Sequence, residues 1–286
     1  MELDVSRLGQ SVPLPPYRAV LAVDMEKFSR SRPRHQQIIG DAIPQVLQEA
    51  LTRAGMARVW EDARFPRHSG DGYVLGADPE HLPLLISPFL ETLQAVLEEV
   101  QPQLAVFDRA LRLRLRASID VGPLPDTGGR SAIDAMGEAM ITTHRLLDSD
   151  PVKRELATSH PDTTLVAAII SRRVYEDVVL GGFASVNESR WRPVHVDLPD
   201  KEYRAEGYLF VPTPSRATAT GEDPEPAQDG ADRRGAGADT SARRPVGGQD
   251  PAVPGVASSI GTNHGQAIQA GVLNGGATFG SGPGER

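Results

Sequence analysis

Apolar residues recur as far as Pro212 in runs and periods that predict a series of strands and helices. The stretch YRAVLAVDM is short, apolar and β-branched, which predicts a buried first strand. ARVWEDARFPRHSGDGYVLGA predicts two strands that meet near Asp71. LRLRLRASIDVG alternates over Leu111 to Leu115 and predicts a strand with one solvated face, on which its arginines would lie. WRPVHVDL and YRAEGYLFVP predict two closing strands.

Three longer segments have the spacing of amphipathic helices. HQQIIGDAIPQVLQEALTRAG has apolar positions at helical intervals and a natural stop at Gly55, with Pro44 as a kink or the start of a second segment. EHLPLLISPFLETLQAVLEEVQ and SAIDAMGEAMITTHRLLDS predict the second and third helices. TTLVAAIISRRVYEDVV predicts a further strand and a short helix. This order of elements indicates an α+β sandwich built on one mixed sheet.

The composition changes after Pro212 and divides the chain into three parts. We expect an irregular leader over 1–16, a single domain over 17–212 and a tail over 213–286 that is rich in Pro, Gly, Ala and Asp. Such a tail has too few large apolar residues to offset its chain entropy, which predicts disorder. Its last part, 258–282, has spaced apolar residues, and the alternative there is a short peptide that docks on a protein partner.

Charge and composition exclude several classes of function. A net charge of −8 and a pI near 5.4 argue against nucleic-acid binding. The chain has no cysteine, which excludes disulfides, thiolate zinc sites and thiol catalysis. The 7 histidines are scattered without ligand spacing. We find no basic and apolar targeting segment and no run long enough to span a membrane, so we expect a soluble cytoplasmic protein.

Two aspartates are candidates for metal ligands. Asp71 lies in the stretch GDGYVL, where Asp-Gly is also a preferred turn pair. Asp24 ends the first predicted strand, where it could equally cap the helix that follows. A strand end and a hairpin tip of one sheet can lie side by side, and two carboxylates there could hold divalent cations about 4 Å apart. Magnesium suits such a site, because it takes carboxylates together with substrate phosphates.

Four stretches, in order, resemble the signature motifs of class III nucleotidyl cyclases. They are VLAVDMEKFSRS, RHSGDGYVLG, LRLRASIDVGPL and IDAMGEAMITTHRLL. The resemblance extends from Tyr17 to Pro212 and implies that family's fold, an α/β sandwich with a ferredoxin-like core and a mixed, mostly antiparallel sheet. It also implies a reaction, the attack of the ribose 3′-hydroxyl of a nucleoside triphosphate on the α-phosphorus, which yields a 3′,5′-cyclic nucleotide and pyrophosphate.

The resemblance implies a head-to-tail homodimer with two sites at its interface. In each site Asp24, Asp71 and the backbone carbonyl of Met25 would hold two Mg²⁺ or Mn²⁺ ions. The backbone amides from Glu26 to Ser29, those of Phe28 and Ser29 among them, would bind phosphate.

The partner subunit would supply the remaining groups of each site. Arg145 matches the family arginine that stabilises the pentacovalent phosphate, and its fixed fork of donors suits phosphate oxygens. Asp134 and Arg67 match the two positions that read the base. Lys201 is a candidate for the lysine that binds the triphosphate.

The chain departs from the family pattern at two places. Ile141 stands where the family has an asparagine that donates to the ribose, and the loss of one such donor lowers the rate by about 100-fold. Arg67 with Asp134 matches neither the adenine pair nor the guanine pair of the family, so the base is open and pyrimidines are included. Three hypotheses follow: an active cyclase, including a pyrimidine cyclase of phage defence; a weak or inactive homologue that senses nucleotides; and an adaptor in which the tail binds the partner.

Overall fold

The computed structural model describes residues 9–30, 32–109 and 111–217. The chain divides into two units, Met1–Asp223 and Pro224–Arg286, and the second lies wholly outside the described residues. The docking segment predicted over 258–282 therefore lies outside them too. Residues 213–217, which we assigned to the tail, are described. The Thr213 carbonyl accepts a 2.6 Å hydrogen bond from Thr164 Oγ1, and the Ala217 N–H donates to the Thr158 carbonyl over 3.0 Å.

Seven strands form one mixed sheet at the centre of the domain. They are β1 (Tyr17–Met25), β2 (Arg64–His68), β3 (Gly72–Ala77), β4 (Leu115–Pro123), β5 (Val166–Ser171), β6 (Arg192–Leu198) and β7 (Tyr203–Phe210). Their order is β2-β3-β1-β4-β5-β7-β6, and β4 with β5 is the one parallel pair of neighbours in this sheet. The predicted fold class, an α+β sandwich with a mixed, mostly antiparallel sheet, is confirmed.

Helices cover both faces of the sheet. They are α1 (Pro33–Arg53), α2 (Ala57–Glu61), α3 (Leu82–Ile86), α4 (Phe89–Phe107), α5 (Glu138–Leu147), α6 (Asp150–Thr158) and α7 (Arg172–Val174), which continues as the π-helical segment Tyr175–Leu180. The largest apolar cluster joins α1 and α4 to one face, and α5 and α6 pack on the other. Along β1, Leu21 belongs to the first face and Ala22 to the second, because successive strand side chains point to opposite sides.

Several predicted elements have the bounds that the hydrophobic pattern indicates. β1 covers the whole of the predicted first strand, and the two closing strands are present as β6 and β7. Helix α1 ends at Arg53, just before Gly55, whose φ of +77° favours glycine. Pro44 lies inside α1, which runs on as a single helix. None of the helices in the described part of the chain is long and apolar enough to cross a membrane.

The structure corrects other helix boundaries. The second predicted helix is divided at Ser87 and Pro88 into α3 and α4. The third predicted helix begins only at Glu138, because the backbone at Gly137 is extended. Gly137 also lies so close to Leu124 that a Cβ at position 137 would be 2.7 Å from the Leu124 side chain. Ala57–Glu61, assigned to a strand, is helical. We did not predict α6, although Asp150 and the proline after it form a typical helix start.

The arginines before and within β4 do not form the predicted solvated face. Residues 111–114 precede the strand, and Arg114 is only 4% exposed. Its guanidinium donates to Glu26 Oε2 over 2.7 Å and to the backbone carbonyls of Thr164 and Leu156. Arg116 is also paired with a carboxylate, described below. Helices on both faces bury β4, so these charges are stabilised by partners within the protein.

Candidate functional site

The hairpin tip and the end of β1 meet at one end of the sheet, as the sequence predicts. Asp24 lies opposite Gly72 in the register of β1 and β3, and the Met25 N–H donates to the Asp71 carbonyl over 2.8 Å. Glycine is required at position 72, because a Cβ there would lie 2.4 Å from the Val23 carbonyl oxygen. The sequence Gly-Asp-Gly therefore makes a turn and also lets the hairpin approach β1 closely enough to bring Asp71 beside Asp24.

Asp24 is held in a two-point ion pair that the sequence did not suggest. Arg116 lies directly opposite it on β4, and its Nε and Nη2 donate to Asp24 Oδ1 and Oδ2 over 2.7 and 2.8 Å. The side chains of Arg116 and Asp24 are only 13% and 19% exposed. Burial raises the pKa of Asp24 to about 7 although Arg116 lowers it, and the charges of Asp71 and Asp148 raise it further. Burial is therefore the main influence against the charged carboxylate, and Arg116 is the group that stabilises it.

The donor set decides what kind of cation site could form here. Two neighbouring carboxylates suit Mg²⁺ or Mn²⁺ when a substrate phosphate and water supply the other ligands. Among the described residues, no group of three or more His, Cys, Asp or Glu side chains is arranged to hold a metal. Both oxygens of Asp24 accept hydrogen bonds from Arg116. The described residues thus form no closed protein cage for a metal, and a cation at Asp24 would need Arg116 to release at least one carboxylate oxygen and other molecules to supply the remaining ligands.

The segment after β1 carries the predicted phosphate-binding backbone. Lys27 has a φ of +60°, and a 3-10 turn follows over Phe28–Arg30. The Glu26 N–H, expected among the phosphate-binding amides, instead donates to the Arg114 carbonyl over 3.0 Å, so buried Arg114 anchors this segment through both backbone and side chain. Phe28 packs against the main apolar cluster. The roles of Met25, Phe28 and Ser29 remain predictions.

A cavity of about 520 Å³ lies between the β2–β3 hairpin and α5. Arg67, Asp134 and Ile141, all singled out in the sequence, line it together. Much of its wall is apolar, with Phe65 and Met140 among the lining residues. A cavity of this volume, with mostly apolar walls and a few polar side chains, is typical of small-molecule sites. Tertiary structure therefore brings the two predicted base-reading side chains to one concave surface.

Asp134 has a role in this cavity wall that the sequence did not predict. Its carboxylate accepts hydrogen bonds from the N–H of Thr127 over 3.0 Å, the N–H of Gly129 over 2.8 Å and the Thr127 hydroxyl over 2.9 Å. The slight burial of Asp134 would raise its pKa, but these hydrogen bonds lower it below the usual value. Both carboxylate oxygens are thus engaged by the loop that precedes α5.

Arg145 and Lys201, the two predicted phosphate-binding side chains, have different partners in the structure. The Arg145 guanidinium lies over the ring of Tyr203, 4.7 Å from its centroid, and makes no hydrogen bond or ion pair with any described residue. Lys201 Nζ donates to Asp148 Oδ2 over 2.6 Å, and Lys153 Nζ donates to the other oxygen over 3.2 Å. The predicted triphosphate lysine is thus neutralised within its own chain by an aspartate just after α5.

Three residues of this region were missed in the sequence. Arg116 belongs to the arginines assigned to solvent, and its pairing with Asp24 depends on strand register. Asp148 follows α5, and its negative charge raises the pKa of Asp24. His144 lines the cavity, and burial lowers its pKa, with Asp148 raising it and Arg67 lowering it. Arg116 lies on β4, whereas His144 lies in α5 and Asp148 is the C-cap residue of that helix. The helical spacing of Ile141, His144 and Asp148 is the sequence signal for a shared site.

No protein-family model matches the chain, and no curated protein matches it. Solved structures of similar fold include a bacterial light-regulated adenylyl cyclase, at 14% identity and a TM-score of 0.44, with 74% of this chain and 55% of that chain covered. The guanylyl cyclase Cya2 is 14% identical with a TM-score of 0.44, covering 71% of this chain and 95% of that chain. The guanylate cyclase domain of RhGC from Catenaria anguillulae, in complex with GTP, is 13% identical with a TM-score of 0.41, covering 72% and 100%.

The chain thus spans 55% of the length of the light-regulated adenylyl cyclase. At these identities and TM-scores the likeness carries no conclusion about this chain, and the nucleotides and assemblies of those proteins are theirs. The fold of the chain rests on its own strand order and register, an α+β sandwich on one mixed sheet.

Proposed function

We propose that this protein is a nucleotidyl cyclase, which converts a nucleoside triphosphate to a 3′,5′-cyclic nucleotide and pyrophosphate at the interface of a homodimer. The observation that supports it is the pair of carboxylates at one end of the sheet. Asp24 lies opposite Gly72, and the hairpin backbone bonds to β1 at Asp71. Phosphoryl transfer needs little covalent chemistry from the protein and depends on charge placed around the phosphates, which this end of the sheet can supply.

Asp24, Asp71 and the Met25 carbonyl would hold two Mg²⁺ or Mn²⁺ ions together with the triphosphate. When bound, such ions lower the pKa of the attacking hydroxyl and neutralise charge on the leaving pyrophosphate. The protein's own contribution is to hold the two carboxylates at one end of the sheet, with Asp24 mostly buried and Asp71 half-buried. The negative charges of Asp71 and Asp148 near Asp24 favour a cation there, and a metal would have to displace the proton that burial favours on this carboxyl.

Arg116 would act as the first phosphate ligand of the protein. Its fork of donors matches a phosphate as well as it matches the carboxylate of Asp24. A triphosphate arriving at this end of the sheet would compete for the guanidinium and release the oxygens of Asp24 for a cation. Binding of nucleotide and of metal would therefore be coupled through one side chain.

Arg145 would stabilise the charge that develops on the α-phosphate across the interface. Within one chain its guanidinium rests on the ring of Tyr203 and forms no hydrogen bond to described residues, so its donors are available to a second subunit. A cation over a tyrosine face is restrained in position while its N–H groups stay free at the edge. Each homodimer would then contain two such sites.

A second function is favoured by two specific observations. The oxygens of Asp24 are both engaged by Arg116, and Ile141 offers no donor to a ribose. These features suit a domain that binds a nucleotide and does not turn it over, a sensor derived from a cyclase. In that case Arg116 would remain on Asp24 when the nucleotide is bound.

One experiment separates the two functions. The full chain is incubated with ATP, GTP, CTP and UTP in Mg²⁺ or Mn²⁺, and products are identified by mass spectrometry. A 3′,5′-cyclic nucleotide that disappears in Asp71→Asn supports the cyclase. Binding by calorimetry without any cyclic product supports the sensor, and the absence of both binding and product rejects both functions.

A further inference from the structure

The cavity between the β2–β3 hairpin and α5 has one strong hydrogen-bonding group that is free to meet a ligand. Arg67 is exposed and lines the cavity, and its guanidinium makes no hydrogen bond or ion pair with other described residues. The walls include Phe65, Val74 and Met140, and the volume is about 520 Å³. A slot with apolar walls and a guanidinium in its lining suits a flat heterocycle whose polar edge faces the guanidinium.

The carboxylate in the same wall is already satisfied. Each oxygen of Asp134 accepts hydrogen bonds from the loop over Thr127 to Gly129. To turn toward a ligand it would have to give up its hydrogen bonds to two backbone N–H groups of that loop. Burial lowers the pKa of His144 and so favours the neutral imidazole, which has one donor and one acceptor. It is therefore compatible with any base and does not select among them.

We infer that this cavity takes the base of the nucleotide and selects one that turns ring carbonyl or nitrogen acceptors toward Arg67: guanine, cytosine or uracil, over adenine. The inference rests on the proposed function, since it assumes a nucleotide. A guanidinium presents only donors, which match the adjacent acceptors of guanine at O6 and N7 or of cytosine at O2 and N3. In uracil the two carbonyl acceptors are separated by the N3–H donor, so each carbonyl would pair with Arg67 on its own. In adenine an amino donor lies beside the ring acceptor at N1 and N7, and it would face a second donor of Arg67.

The test measures binding separately from turnover. The full chain is titrated by calorimetry with the 3′-deoxy analogues of ATP, GTP, CTP and UTP in Mg²⁺, which lack the attacking hydroxyl. At least one carbonyl-bearing analogue should bind about 10-fold or more tighter than 3′-deoxy-ATP, the scale of one bidentate pair. Equal or tighter binding of 3′-deoxy-ATP overturns the inference, as does binding of none of the four.

Two variants assign the selection to one residue. Arg67→Gln replaces two donors by a donor and an acceptor, the pattern that pairs with adenine, and should shift the ratio of dissociation constants toward 3′-deoxy-ATP by about 10-fold. Arg64→Gln is the matched control, since Arg64 lies on the same strand and does not line the cavity, and it should leave that ratio unchanged. A melting curve checks that each variant is folded. An unchanged ratio in Arg67→Gln, or a changed one in Arg64→Gln, overturns the assignment.

Failure of this inference is distinguishable from failure of the proposed function. Selective binding without any cyclic product from the natural nucleotides would reject the cyclase and leave the base selection standing. Cyclic AMP as the main product would reject the base selection and leave the cyclase standing.

Discussion

Asp24 and Arg116 face each other across β1 and β4 and are joined by two hydrogen bonds of 2.7 and 2.8 Å. The pair lies at the end of the sheet where Asp71 approaches β1, so one guanidinium balances a cluster of negative charge. Any cation or phosphate that binds there must compete with this pair. The pair therefore links the stability of the domain to the chemistry proposed for it.

Stability should depend on pH through Asp24. Its pKa is about 7 in the folded chain, against an ordinary value of 3.8. Between these values the folded state binds more protons than the unfolded state, so the contribution of Asp24 to stability is greatest below about pH 4 and is lost as pH rises through about 7.

The free energy of unfolding of the native chain and of Asp24→Asn, measured by urea denaturation across this range, isolates the effect, because other carboxyls contribute equally to both. The free energy of unfolding of the native chain, relative to that of Asp24→Asn, should fall as pH rises. A difference that is constant with pH would show that Asp24 is ionised throughout.

The two carboxylates should be essential for cyclisation. Asp24→Asn and Asp71→Asn keep the shape of each side chain and remove its charge, and each should lower product formation by about 100-fold or more, the scale of a lost preorganised charge contact. Asp78→Asn is a matched control, since Asp78 is an exposed carboxylate that pairs with Arg18. Product is measured by mass spectrometry beside a melting curve. Native-like turnover in folded Asp71→Asn would contradict the two-carboxylate site.

Complementation should show that the site is shared between subunits. Asp24→Asn and Arg145→Ala should each be inactive alone, and their mixture should regain part of the activity, because one site of a mixed dimer has both groups intact. Subunit exchange is followed independently with differently tagged chains. Exchange without recovery of activity would place both residues in a site within one chain.

Ile141→Asn should raise kcat by about 10-fold, because an amide donor oriented toward the ribose acts mainly in the transition state. Ile141 is 43% exposed, so the amide can keep its contacts with water and melting should not change. Ile141→Val is the control for altered side-chain volume. An unchanged kcat in both variants would mean that another group orients the sugar or that position 141 does not face it.

The local sequence pattern was sufficient to predict the elements that depend mainly on residues close together in the chain. The apolar run of β1 predicted its bounds, and Gly-Asp-Gly predicted the hairpin tip, because turns and buried strands depend on neighbours in the chain. The pairing of a strand-end carboxylate with a hairpin carboxylate also followed, since both motifs belong to one edge of a sheet. Boundaries failed where a proline or a close contact intervened, as before α4 and at Gly137.

Only the tertiary structure decided which partner each charge has. Arg116 was assigned to solvent, and the register of β1 on β4 places it on Asp24. Asp134 was assigned to the base, and the preceding loop folds its N–H groups onto that carboxylate. A sequence records that a charge is present, but its partner and its pKa depend on burial and on groups far away in the chain, which are defined only once the strands and helices have packed.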